Sequence, residues 1–557
     1  MKVLQSQPVQ DLHGSLLGRY RSPWPGTTDD LVRDLLLFTP EEHMARHERL
    51  LLEILAYAER SPLYKGRLAP VTGLNGLSSL PITSYDDIFE GMERLGPEKV
   101  LLSTPVRYYQ TSGSTGSVKR IYVGEEDLER VTQTYLMYTH ILGVRPTDIG
   151  WNIGGTDPLV SGHVIDLLAK RIPLVRCIST PLSGDTDLVK ALKIISKEEK
   201  VDVIAAAALV FYLVGRMATE EGYLKGLVVD KIARTYKVPR FLAGPLASIF
   251  LFGLDVEGLV RVTSSARMGM SYAEPVTPYL GEIGTSFPNI RLFDVYGSTE
   301  NAVTAAQLDK NVEGLSFFLD AIIPEIADPK EVTEAKADPS HRVSGVPWYQ
   351  WQKGMIGELI VTRPGQCLPL VRYPTGDVIE VLEPAHETTV MLDRGPVKIV
   401  LPLIKVLGRS VDMLDFSAQD EVGNFLGNKI YSRYITEALN RSNNVRWWEL
   451  YHVRGNPGRL VFLIIPERDV GDVDAFKKDL ARCLLRKCDD YLHTLKVGYD
   501  LGRLDIMVAR AEDYSIIQAE IDRRIKEGRP IGQLKPKHIF VLEDEETFQR
   551  IIAEKMA

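Results

Sequence analysis

Between Tyr108 and about Asp309, short β-rich runs alternate with helical segments, and this alternation narrows the fold more than any other feature of the chain. The runs include Val106–Gln110, Arg120–Val123, Val201–Ile204 and Ile290–Val295. The helical segments between them include Glu125–Tyr138, Thr186–Glu199 and Leu209–Thr219. Strands separated by helices predict an α/β architecture with helices covering the faces of a sheet. Ahead of this block, Leu50, Leu51, Ile54 and Leu55 recur at helical spacing in Glu41–Glu59, with Pro40 at the helix start. A second short helix is expected over Tyr85–Arg94.

From Gly357 to Leu407 the pattern is mostly β, with candidate strands Glu358–Thr362, Asp377–Leu382, Thr388–Leu392 and Val397–Leu401. Beyond Gly408 an α+β rhythm begins. Strands Val445–Arg454 and Arg459–Glu467 flank the turn Gly455-Asn456-Pro457-Gly458. A helix over Val473–His493, a strand over Leu504–Arg510 and a helix over Tyr514–Lys526 follow. The expectation is a large multi-subdomain α/β domain over 1–407 that includes a β subdomain, and a small α+β domain over 408–557. A chain of 557 residues has the length for two or more such units.

Composition removes several function classes. Hydrophobic residues at 45% and charged residues at 25% are globular values, which excludes extended disorder. A formal net charge of −8 gives no overall pull towards nucleic acid or anionic lipid, although a local basic groove stays open. Cys177, Cys367, Cys483 and Cys488 are too few and too scattered for a disulfide framework, and no CxxC suggests structural zinc. The longest apolar run, Val203–Val214, is shorter than a spanning helix and reads as a buried strand and helix. The first residues lack the apolar core of a signal peptide. No membrane span, no nucleic-acid partner and a reducing, cytoplasmic location are expected.

Three motifs carry chemistry. In Thr111-Ser112-Gly113-Ser114-Thr115-Gly116-Ser117-Val118-Lys119, every residue to Ser117 is Gly or bears a hydroxyl, and Lys closes the loop. Glycines free backbone N–H groups to face an anion, hydroxyls add donors and Lys adds charge, which suits phosphate. The strand-like Arg120–Val123 that follows disfavours a Walker loop, which opens a helix. In Tyr296-Gly297-Ser298-Thr299-Glu300, the ring can stack on a base and the carboxylate can hold Mg²⁺. In Tyr373-Pro374-Thr375-Gly376-Asp377, Asp377 can accept two hydrogen bonds from a ribose diol, although Thr-Gly-Asp is more often an ordinary turn.

Taken together and in order, these motifs resemble those of the adenylate-forming superfamily: acyl- and aryl-CoA ligases, luciferases, peptide-synthetase adenylation domains and acyl-acid amido synthetases. The resemblance runs from about residue 45 to the end. Ala273-Glu274-Pro275 is similar to an adenine-bordering element of phenylacetate-CoA ligases, and Gly408-Arg409-Ser410-Val411-Asp412 to the family's hinge segment. The resemblance implies that Thr111–Lys119 holds the ATP phosphates, Tyr296 stacks on adenine, and Glu300 beside Thr299 ligates Mg²⁺. It also implies that Asp377 binds the ribose, Arg409 lies near ribose and phosphate, and the small domain swings between two half-reactions. Val411 stands where the family usually has Asp or Lys, and the family's usual C-terminal lysine stretch is absent. Gly528–Lys537 instead resembles the ending of the amido synthetases, which makes Lys535 the candidate catalytic lysine and Lys537 the second. Both also read as surface lysines ahead of an edge strand, His538–Leu542.

The segment Trp151–Thr156, His163 and the alanine-rich Ala205–Phe211 lie where the family has pocket elements. His163 reads rather as structural, and close packing explains the alanines equally well. The expected function is ATP- and Mg²⁺-dependent activation of a carboxylic acid to an acyl-adenylate, then transfer to CoA. The alternatives are transfer to an amino acid or amine, and an idle nucleotide-binding protein. The expected state is a monomer or homodimer.

Overall fold

The computed structural model describes residues 28–556 apart from 112–118, 156, 173–175, 181–184, 221, 274–275, 277–278, 411–412, 416–428, 443, 455–457, 486–492, 501 and 512–536. Strand β1 (Arg107–Gln110) pairs antiparallel with β2 (Arg120–Val123), Gln110 lying opposite Arg120. Next come β3 (Ile149–Asn152), β4 (Arg176–Ser179), β5 (Val203–Ala207), β6 (Met268–Tyr272) and β7 (Arg291–Ser298), all mutually parallel. Parallel neighbours require crossover connections. Here these include the helices Val160–Arg171, Asp185–Ile195 and Ala208–Thr219. The Val203–Val214 run is, as expected, a fully buried strand followed by a buried helix.

The sheet then changes sense. Strand β8 (Ala302–Ala306) runs antiparallel to β7, and β9 (Leu315–Phe317) antiparallel to β8. After β10 (Ile323–Ala327), β11 (Val346–Pro347), β12 (Ile356–Arg363), β13 (Leu370–Leu392) and β14 (Gly395–Arg409), the order is β4-β3-β5-β6-β7-β8-β9-β14-β13-β12-β10-β11. The β-rich stretch is thus hydrogen-bonded into one twelve-stranded sheet with the α/β half. The two strands expected at Asp377–Leu382 and Thr388–Leu392 are one strand of 23 residues, and Val397–Leu401 lies inside the 15-residue β14. Pro384 reads as a break, but β12 has only 8 residues beside the 23 of β13. Much of β13 therefore has β14 as its only neighbour, and an open strand side tolerates proline.

The described residues cluster into two units, one within 1–375 and 380–405, the other within 376–379, 406–529 and 534–557. The second unit holds a short antiparallel pair, β15 (Leu414–Asp415) with β16 (Lys429–Ile430). Its main sheet comprises β17 (Trp447–Val453), β18 (Arg459–Ile465), β19 (Leu504–Val508) and β20 (Ile539–Leu542), in the order β19-β18-β17-β20. Leu450, Phe462 and Ile464 on this sheet pack with Ile435, Leu480 and Leu484 from its helices, giving an α+β layer with its own core. Of the helix expected over Val473–His493, Val473–Leu485 is helical and 486–492 lie outside the described residues; a helix spans His493–Asp500. The helix expected over Tyr514–Lys526 lies outside the described residues. Three helices without a sequence expectation, Tyr223–Tyr236, Arg240–Leu251 and Val256–Ser265, follow one another in the first unit.

Candidate active site

The hydroxyl- and glycine-rich segment lies in the chain between β1 and β2. Its neck is closed twice: Thr111 N–H donates to the Lys119 carbonyl at 3.0 Å, and Lys119 N–H donates to Thr111 Oγ1 at 3.0 Å. Ser112, Gly113, Ser114, Thr115 and Gly116 lie outside the described residues. Lys119 Nζ donates to Tyr373 Oη at 3.1 Å and lies 3.4 Å from Glu300 Oε1. Tyr373 Oη donates in turn to Glu300 Oε1 at 2.7 Å. The ammonium also stands 5.4 Å from the centroid of the Tyr85 ring and 5.6 Å from that of Tyr373, within cation–π range. Three motifs, 181 and 254 residues apart along the chain from Lys119, meet in one hydrogen-bonded cluster.

Local backbone geometry presents each member. The β7–β8 pairing shifts register between Tyr296 and Gly297, a bulge that re-aims the strand end. Asn301 N–H donates to the Ser298 carbonyl at 3.3 Å and to Ser298 Oγ at 3.1 Å, a tight turn with Thr299 and the buried Glu300 at its tip. Tyr373 follows Arg372, whose backbone has φ 47° and whose side chain is fully buried. The Arg372 guanidinium pairs with Glu325 at 3.0 and 3.2 Å and donates to the carbonyls of Ser78 at 2.9 Å and Val343 at 3.0 Å. Its backbone N–H donates to Thr362 Oγ1 at 3.0 Å. A left-handed conformation on a non-glycine residue costs about 1–3 kcal/mol and persists where its surroundings over-determine it.

Beside the cluster lies a cleft with Thr299, Glu300, Asp320, Arg363, Arg130 and Asp127 in its wall. Arg130 pairs with Asp127 at 2.5 Å, and Asp127 also accepts from the Gly124 and Gln366 N–H groups at 3.0 Å each. Arg363 Nε has no hydrogen-bond partner among the described residues. Burial, and then the neighbouring charge of Arg130, pull its guanidinium down to about 10. Asp127 neutralises Arg130, and Glu300 and Asp320 line the same cleft, so Arg363 is the cation there that could meet an anionic group.

The sequence motif that begins at Tyr373 gave that residue no role of its own, and it pointed to neither Arg372 nor Arg363. The one available signal was a charged residue inside the apolar run Leu370–Tyr373. Of the sequence-expected pocket elements, Trp151 is buried and donates to Thr180 Oγ1 at 2.8 Å, and His163 Nδ1 is 2.6 Å from Tyr109 Oη. Both are held structurally, and Ala205–Ala208 are fully packed. Ala273 follows β6 with φ 75°, while Glu274 and Pro275 lie outside the described residues. Tyr296 lies on β7, half-buried. In the second unit, Arg409 Nε lies 2.7 Å from Asp377 Oδ1, and Ser410 Oγ donates to the Gly376 carbonyl at 3.3 Å. Lys535, Val411 and Asp412 lie outside the described residues, and Lys537 Nζ stands 5.6 Å from the Phe540 ring centroid.

No protein-family model and no curated protein matches the chain. Solved structures do. A 2-hydroxyisobutyryl-CoA ligase in the postadenylation state with 2-HIB-AMP superposes with a TM-score of 0.62 at 15% identity, over 94% of each chain. The GH3.15 acyl acid amido synthetase gives 0.56 at 15% identity, over 92% of this chain and 94% of its own. The chain has the fold of the adenylate-forming enzymes. An open conformation of the same CoA ligase, with 2-HIB-AMP and CoA, gives 0.50 at 16% identity over 86% and 90%. Within the adenylate-forming fold of this chain, the Lys119 loop, the Glu300 turn and Tyr373 belong to the first unit, and the Asp377–Arg409 pair to the second.

Proposed function

We infer that the chain is an AMP-forming carboxylate ligase. A carboxylate oxygen attacks the α-phosphorus of ATP, the bond to pyrophosphate breaks, and an acyl-adenylate remains. The CoA thiol, losing its proton, then attacks the acyl carbon, and AMP leaves. The observation that carries this reading is the convergence of Lys119, Glu300 and Tyr373 from three separate motifs.

The Thr111–Lys119 loop would cradle the phosphates. Lys119, paired with Glu300 and Tyr373 here, would give its charge to the phosphate oxygens as negative charge develops on pyrophosphate. Glu300 is a buried carboxylate at a turn tip, and Mg²⁺ in nucleotide sites commonly takes one or two carboxylates and completes its shell with phosphates. Glu300 fits that requirement; Mg²⁺ bound there would neutralise phosphate charge. Tyr296 would stack on adenine beside Ala273, Glu274 and Pro275, Asp377 would accept the ribose hydroxyls, and Arg409 would lie near them. Lys535 would bring an ammonium to the α-phosphate. Arg363 would offer its charge to an anionic group of the substrate in the cleft.

An amino acid or amine as acceptor is the second reading. It is favoured by the Gly528–Lys537 ending and by the likeness to the GH3.15 acyl acid amido synthetase at a TM-score of 0.56. The test is a panel of carboxylic acids scored by pyrophosphate release with CoA, with mixed amino acids and with neither. Release with an acid alone and turnover with CoA is the expected result. Turnover with amino acids and none with CoA selects the second reading. Silence across the panel, with ATP still bound, leaves an idle nucleotide-binding protein.

A further inference from the structure

Of the consecutive helices Tyr223–Tyr236, Arg240–Leu251 and Val256–Ser265, the middle one inverts the usual rule of packing. On the helix Arg240–Leu251 the fully buried residues are the small Ala243 and Ala247, which pack with Ile232 of the preceding helix. The large apolar side chains point outward: Phe241 is 75% exposed, Ile249 69%, and Phe252, just past the helix end, 84%. Nine of the nineteen large apolar side chains exposed among the described residues fall between Tyr236 and Val260. Six of them, from Phe241 to Phe252, lie in one stretch without a charged residue, which marks an interaction surface and not scattered surface residues. Small residues at a helix–helix contact with large apolar ones outside is the pattern of helices whose outer solvent is lipid.

Charge distribution selects the partner. The chain as a whole is −8, yet residues 223–240 carry Lys225, Lys231, Arg234, Lys237 and Arg240 against Asp230, five positive and one negative, a net +4. Residues 241–254 then hold no charged residue. Among the described residues no single helix is long and apolar enough to cross a membrane. The helix Arg240–Leu251 has 12 residues, about 18 Å of rise, against roughly 30 Å of hydrocarbon. Its axis turns by 60° into the next helix, so the two make no straight span. A short aromatic-rich apolar helix entered from a basic one suits the interface of an anionic bilayer.

We propose that the segment 223–260 docks the protein onto an anionic lipid bilayer, with the helix Arg240–Leu251 and Phe252 lying in the headgroup–acyl boundary and the exposed Lys225 and Lys237 against the lipid phosphates. The test is flotation of the full chain with vesicles of phosphatidylcholine and phosphatidylglycerol at 3:1, and with phosphatidylcholine alone. The wild-type protein is expected to float with the anionic vesicles and less with the neutral ones, the difference shrinking in 0.5 M NaCl. The variant F241S/I249S/F252S changes only exposed side chains. It should keep its circular dichroism and any pyrophosphate exchange while its partition falls about tenfold or more. The variant K225E/K237E should lose the preference for anionic vesicles. Absence of flotation with either vesicle, or equal flotation of the triple variant, overturns the proposal. So does a wild-type dimer that binds no vesicle and that the triple variant dissociates, which would assign this face to a second copy of the chain.

Discussion

Arg372 combines a full charge, a left-handed backbone and complete burial, three things a side chain tolerates only with dense compensation. Glu325 supplies the countercharge; burial raises its carboxyl and Arg372 opposes that rise. Removing one partner of such a pair costs about 3–5 kcal/mol, because the other charge is left buried. Arg372→Met should lower the denaturation free energy of the first unit by that amount, and R372M/E325L should recover part of it. A single variant within about 1 kcal/mol of wild type would mean the pair does not secure Tyr373. A second buried group reports on pH. His47 Nε2–H donates to the Leu319 carbonyl at 2.8 Å, and Trp348 Nε1–H donates to His47 Nδ1 at 2.9 Å, so the ring is neutral. Burial first, then the charges of Arg46 and His43, pull His47 down to about 3, and burial with Arg46 pulls His43 down to about 4. Their folded values lie below the unfolded 6.5, so below that pH the unfolded chain binds more protons. Stability is then lost as pH falls from about 6.5 towards 4 and 3. Urea titrations across that range should show the loss, and H43F should reduce its slope. An identical slope would remove His43 from the account.

The junction between β3 and the helix Val160–Arg171 is an element-scale constraint. A Cβ on Gly162 would lie 2.2 Å from the Gly155 carbonyl oxygen, and one on Gly154 would lie 2.5 Å from Gly162 Cα. Asn152 Nδ2 donates to the Gly162 carbonyl at 3.0 Å, tying the strand end to the helix. Gly162→Ala must push backbone from backbone and should cost about 1–3 kcal/mol, read as a lower melting temperature. An unchanged melting temperature would show that the helix slides without strain. Legibility at this scale was uneven, for physical reasons. The loop ending at Lys119 was visible because phosphate chemistry demands glycine, hydroxyls and a cation in one short run. The role of Tyr373 and the pairing of Arg372 were not, because their partners Glu300 and Glu325 lie 73 and 47 residues away. Nor was the helix Arg240–Leu251, where Gly244 and Pro245 read as breakers and the apolar face points outward.

For the whole molecule, the sequence alternation foresaw the parallel half of the sheet, and the motif order foresaw the adenylate-forming fold. The joining of the β-rich stretch into one twelve-stranded sheet was hidden, since register between distant strands depends on tertiary neighbours. In the proposed function, the cluster of Lys119, Glu300 and Tyr373 handles the phosphates of ATP during carboxylate activation. Incorporation of labelled pyrophosphate into ATP, driven by a carboxylic acid and Mg²⁺, tests it most directly. The wild-type chain should exchange label only with acid and Mg²⁺ present, and Glu300→Gln, still folded, should exchange about 10²–10³ times more slowly. Exchange by Glu300→Gln at the wild-type rate under limiting Mg²⁺ would contradict the account.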